Sequence, residues 1–127
     1  MSDRTSYWLE LAEYDLDTAR AMLETGRYLY VGFMCHQVIE KALKAVLSSI
    51  GKTPPHIHNL SKLADLSGVY GKLGEEQKDL LDSLEPLSIQ ARYPEDKDRI
   101  FRALNTDRCG RLLAQTEELY QWIRATL

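Results

Sequence analysis

A chain of 127 residues, 44% hydrophobic and 28% charged, has apolar material for one core and fits one domain over residues 1–127, with little room for a second. Its net charge of −3 gives no global basic field of the kind that draws nucleic acid or anionic membrane, and no apolar stretch is long enough to span a bilayer. The balance is uneven, however: residues 92–111 hold six basic side chains against four acidic ones, while the rest is acidic by 15 to 10, which leaves room for a local anion-attracting surface.

The N-terminus, MSDRTSYWLELAEYD, lacks the apolar run of a signal peptide. A first helix is predicted over Ser6–Thr25, stopped by Gly26, with Trp8, Leu11, Ala12, Ala19, Met22 and Leu23 on one stripe. A second is predicted over Tyr28–Ile50, with Gly51 as its C-terminal signal. The following KTPPHIHN excludes helix through its two prolines. A third runs over Leu60–Tyr70, started by Asn59, and the glycines of GVYGKLG make a loop. A fourth covers Glu75–Gln90, with Pro86 a candidate kink. ARYPEDKDRIFRALN reads as an irregular connector with at most one helical turn, and a fifth helix starts near Thr106 and continues to the end. No segment alternates with period two. The fold expected is all-α: an antiparallel up-and-down bundle of four long helices plus a short one.

Cys35 and Cys109 fall on apolar faces without a CxxC, which favours packing over zinc or thiol chemistry. His56 and His58 form HxH in the Pro-rich loop, but no third ligand is near them in sequence. The expectation is a cytoplasmic chain with an uncleaved N-terminus, no metal and no cofactor.

Two helices carry informative polar residues. At about 100° per residue, the second helix places Met34, Cys35, Val38, Ile39, Ala42, Leu43, Ala45, Val46 and Ile50 on one side. His36, Gln37, Glu40, Lys41, Lys44 and Ser48 fill an arc of roughly 140° on the other, with Phe33 inside it. Such an arc is either a solvated face supported by the Glu40–Lys44 spacing or an anion site. On the first helix, Asp15 falls near the middle of the apolar stripe, where a lone carboxylate needs a basic partner. Lys41, Lys44 and Arg92 are the candidates. Asp15 then either makes a structural ion pair at the bundle rim or orients a cation that binds an anion.

WLELAEYDLDTARAML, then GRYLYVGFMCHQVIEKALKAVLSSIG, then the prolines with HNL, then ARYP, resembles the pattern of HEPN domains. The resemblance covers Trp8 to Pro94 and highlights Trp8, Asp15, Gln37, Glu40, Lys41, Lys44, His58, Arg92, Tyr93 and Pro94. It implies a helical bundle that dimerises and, in some members, binds nucleotides or RNA, often beside a minimal nucleotidyltransferase. Many members are metal-independent ribonucleases with an Arg followed at four to six residues by a His. This chain departs there: eight residues lie between Arg27 and His36, and YPEDKDRIFR after Arg92 contains no His.

The leading expectation is a non-catalytic, homodimeric module that binds a nucleotide or related anion and acts with a nucleotidyltransferase partner in a toxin–antitoxin-like or substrate-binding role. Gln37, Lys41, Lys44, Arg92 and Tyr93 are its candidate ligand residues, and Asp15, Glu40 and His58 its orienting ones. One alternative is an RNA-cleaving toxin with a non-standard site using His58. The other is a purely structural dimerisation module.

Overall fold

A computed structural model describes residues 2–93 and 97–127, apart from the side chains of Lys97, Ile100 and Phe101. Pro94 therefore lies outside the described residues. Among the described residues six α-helices follow one another: α1 (Asp3–Glu24), α2 (Tyr28–Ser49), α3 (Leu60–Leu66), α4 (Glu75–Arg92), α5 (Lys97–Ala103) and α6 (Thr106–Ala125), with a 3-10 turn at Tyr70–Lys72. No strand occurs among the described residues. The four long helices form an up-and-down bundle. α2 is its central stave, packed against α1, α3, α4 and α6.

Local chemistry sets the boundaries. The side chains of Ser2, Asn59 and Asn105 accept hydrogen bonds from the backbone N–H three residues on, starting α1, α3 and α6. Gly26 and Gly51 adopt φ of 73° and 78°, and the next residue's N–H returns to the carbonyls of Met22 and Leu47. That left-handed closure is cheap only without a Cβ. α4 continues through Pro86. The ring removes the bond to the Asp82 carbonyl, and Asp82 is exposed, so water can take its place.

Several boundaries differ from the sequence expectation, the first being α1, which starts at Asp3 rather than Ser6. The third helix ends at Leu66 rather than Tyr70, because Gly68 takes a φ of 78°. The expected irregular connector instead contains α5, about two turns long, and α4 extends to Arg92.

The stripe of α1 is also rotated from the one expected. Thr5, Leu9, Ala12, Asp15, Leu16 and Ala19 are buried, while Trp8, Leu11, Met22 and Leu23 are half-buried. Asp15 thus lies at the edge of the buried arc, not its middle. On α2 the correction is larger. His36, Gln37, Glu40 and Lys44 are buried although their chemistry marked them as a wet face, because α1, α4 and the loop before α3 cover that side. Gly32 allows this close approach: a Cβ there would sit 2.9 Å from Leu87 Cδ1 on α4.

Candidate functional site

The polar arc of α2 becomes a charged seam between α1, α2, α4 and the Pro-rich loop. Asp15 accepts a hydrogen bond from the Lys41 ammonium. One turn on, Lys44 Nζ lies 3.3 Å from Glu40 Oε2 and 5.5 Å from the centre of the Trp8 ring, a cation–π arrangement over the most favourable aromatic. The other Glu40 oxygen is 2.8 Å from His58 Nδ1. His58 is half exposed, so the imidazole joins the buried carboxylate to solvent.

His36, wholly buried, sits between two carboxylates. Its Nδ1 is 4.0 Å from Glu40 Oε1 and its Nε2 is 3.5 Å from Glu85 Oε1. Burial pushes its pKa down, and the attraction of Glu85 and Glu40 only partly offsets this. The ring is therefore neutral near pH 7. Gln37 Nε2 donates to Nδ1 at 3.3 Å, which places the ring proton on Nε2, toward Glu85. Glu85 also accepts from the backbone N–H of Leu60. The seam's two lysines and its carboxylates are thus engaged with one another.

Arg92 and Tyr93 are placed elsewhere. Arg92 ends α4 with its guanidinium 5.5 Å from the centre of the Phe33 ring, and Tyr93 caps the helix with 72% of its surface exposed. The structure therefore does not gather the candidate ligand residues into one cluster. Gln37, Lys41 and Lys44 belong to the seam, with Asp15, Glu40 and His58. Tyr93 belongs to a groove.

That groove, about 490 Å³, runs between α4, α5 and α6. Arg99 and Arg108 line it with Tyr93, Ile89, Gln90 and Ser83, and among the described residues no carboxylate does. A smaller recess of about 210 Å³ adjoins it, lined by Ser83, Arg108, Arg111, Leu112 and Gln115. Arg99, Arg108 and Arg111 were not singled out from the sequence as site residues, although the basic excess of residues 92–111 was the signal that could have found them. Glu85 carried no such signal.

A third feature is apolar. Met22, Tyr30, Phe33 and Met34, with Thr18, Thr25 and Arg27, surround an open depression between α1 and α2. Of the other aromatics, Tyr120 is buried in the core, and Tyr28 and Trp122 are half-buried against it.

The remaining titratable side chains give less. Burial raises the Cys35 thiol to about 12, so it stays protonated and inert, and Cys109 is also buried and free. Among the described residues, no group of three or more His, Cys, Asp or Glu side chains is arranged to hold a metal ion. Nor is any helix among them long and apolar enough to cross a membrane.

Fold and site together define an all-α bundle with a charge-tied central helix and a basic groove beside its last helix. The chain belongs to the HEPN domain family, whose model matches residues 5–126. In fold it is similar to the crystal structure of TT1696 from Thermus thermophilus, with a TM-score of 0.85 and 22% identity over 99% of this chain and 100% of that one. No curated protein sequence matches it.

Proposed function

We propose that the chain is a non-catalytic HEPN module, one domain over its whole length. It forms a homodimer in the cytoplasm, binds a nucleotide, and acts beside a nucleotidyltransferase partner in a toxin–antitoxin-like or substrate-binding role. The observation that carries the ligand reading is the α4–α5–α6 groove, where Arg108 and the exposed Tyr93 line one cavity and no carboxylate among the described residues does. Guanidinium groups match phosphate oxygens with paired donors, and an exposed phenol ring offers a face to a base. The groove is also within the size range of small-molecule sites, about 300–1,000 Å³.

Of the ligand set expected from sequence, this assigns Tyr93 to the ligand, while Arg92 is not among the groove's lining residues and stands over Phe33. Lys41 instead ties α1 to α2 through Asp15, Lys44 pairs with Glu40 of its own helix over the Trp8 ring, and Gln37 bonds its neighbour His36. The absent Arg–His spacing supports the non-catalytic part. The apolar depression around Tyr30 and Phe33 supports self-association through α1 and α2.

Calorimetric titration with AMP and ATP tests the ligand. Heat and a thermal shift are expected with the parent chain, and Arg108→Gln should weaken both; no heat from either nucleotide would sink the reading. Sedimentation tests the dimer, which Tyr30→Glu should convert to monomer.

A second reading has one observation in its favour. His58 is half exposed and oriented by the buried Glu40, as a general base would be. It predicts metal-independent RNA cleavage that is lost in His58→Ala, and RNA left intact at high protein concentration removes it.

A further inference from the structure

A base and a single phosphate in the groove would leave the adjoining recess unused. Ser83 and Arg108 line both cavities, so the groove and the recess adjoin at these two side chains and form one depression beside α6 in two parts. At one end stand the exposed Tyr93 and Ile89, which are flat or apolar surfaces. At the other stand Arg108, Arg111, Ser83 and Gln115, all able to donate hydrogen bonds to an anion. The two arginines are three residues apart on one helix, so their Cβ atoms are about 5–6 Å apart, one turn along the same face. That is a ladder of two positive charges running away from the aromatic end.

Among the described residues no carboxylate lines either cavity, and neither Arg108 nor Arg111 makes an ion pair. Arg99, which already has an interaction partner, is not needed. The recess is less than half the volume of the groove. It suits a small anionic group and not a second base.

From this gradient we infer that the depression selects a nucleoside polyphosphate over a monophosphate. The base lies against Tyr93 and Ile89, the first phosphate meets Arg108, and the distal phosphates enter the recess at Arg111. This rests on the nucleotide reading above and specifies its ligand class. Arg108 is shared by all nucleotides, whereas Arg111 is a specificity determinant that only a phosphate chain reaches. A charge-assisted hydrogen bond on an otherwise unpaired guanidinium corresponds to about tenfold in affinity or more.

The test is calorimetric titration of the full chain with AMP, ATP and inorganic tripolyphosphate in metal-free buffer. ATP is expected to bind about tenfold more tightly than AMP. Arg111→Gln should bring ATP down to the AMP level while leaving AMP unchanged, and Arg108→Gln should weaken both. Circular dichroism melts of both variants check that the fold is intact. If AMP binds and ATP binds no more tightly, or if Arg111→Gln keeps the preference, the recess has no such role and the nucleotide reading stands without it. If tripolyphosphate matches ATP while AMP does not bind, the phosphate recess survives and the nucleotide reading falls. If none of the three binds, both fall.

Discussion

In the seam on α2, each lysine faces a carboxylate: Lys41 meets Asp15 and Lys44 meets Glu40. In the groove and recess beside α6, Arg108 and Arg111 share their cavities with Ser83, Gln90, Gln115 and Tyr93, and with no carboxylate among the described residues. Both regions are rich in charge, but only one has its charge cancelled. A buried ion pair gains little net stability because desolvating both partners costs nearly what their attraction returns, yet removing one partner alone is expensive. The seam therefore registers α1, α2 and α4 against each other. Exposed arginines facing neutral donors keep their attraction for an anion from outside. Charge density in a sequence does not distinguish the two; the partners do.

The sharpest way to break the comparison is Glu40→Ala. It strands the Lys44 ammonium in a buried site and frees His58, and should cost about 3–5 kcal/mol in urea unfolding. A loss under about 1 kcal/mol would mean that the seam is not a tie. Asp15→Asn should cost less, roughly 1–3 kcal/mol, because Lys41 at the rim keeps 20% of its side chain in water.

The next effect is on pH. Folding holds the His36 pKa below its ordinary value of 6.5, by burial that outweighs the pull of Glu85 and Glu40. The unfolded chain then takes up this proton first as the pH drops. Stability from His36 is complete above about pH 6.5 and is lost as the pH falls from there through the depressed folded value, with a slope of at most about 1.4 kcal/mol per pH unit. His58, Glu40 and Glu85 stand close to the ring or to each other, so the diagnostic is the difference between the parent chain and His36→Gln, whose unfolding midpoint should change less between about pH 7 and about pH 5.5.

The smallest stability effect belongs to the groove. Arg108→Gln should move unfolding by less than about 0.5 kcal/mol, as for an exposed residue without an ion pair. The same variant should lose about tenfold in nucleotide affinity. A variant that unfolds as readily as Glu40→Ala would erase the distinction between the two regions.

Much of the fold was legible because its signals are local. Asn59 and Asn105 are residues that cap, Gly26 and Gly51 are residues that tolerate positive φ, and the leucines of α4 repeat with helical spacing. Asp15 was marked as needing a basic partner, and Lys41 is that partner. The misreadings came from inferring exposure from polarity. His36, Gln37, Glu40 and Lys44 read as a solvated arc, and they are buried because three other segments close over them. The connector after Tyr93 read as irregular because its charges and Pro94 hid the α5 pattern.

What the sequence determined by itself was the class of fold, the capped starts at Asn59 and Asn105 and the glycine stops at Gly26 and Gly51, the family pattern and the missing Arg–His spacing. All of these depend on residues near one another along the chain. What only the tertiary structure decided was which charges cancel. Asp15 and Lys41 are 26 residues apart, Glu40 and His58 are 18 apart, and Ser83 shares its cavities with Arg108 and Arg111 from another helix. A Coulomb interaction depends on distance and on the surrounding dielectric, and both are set by how the helices pack.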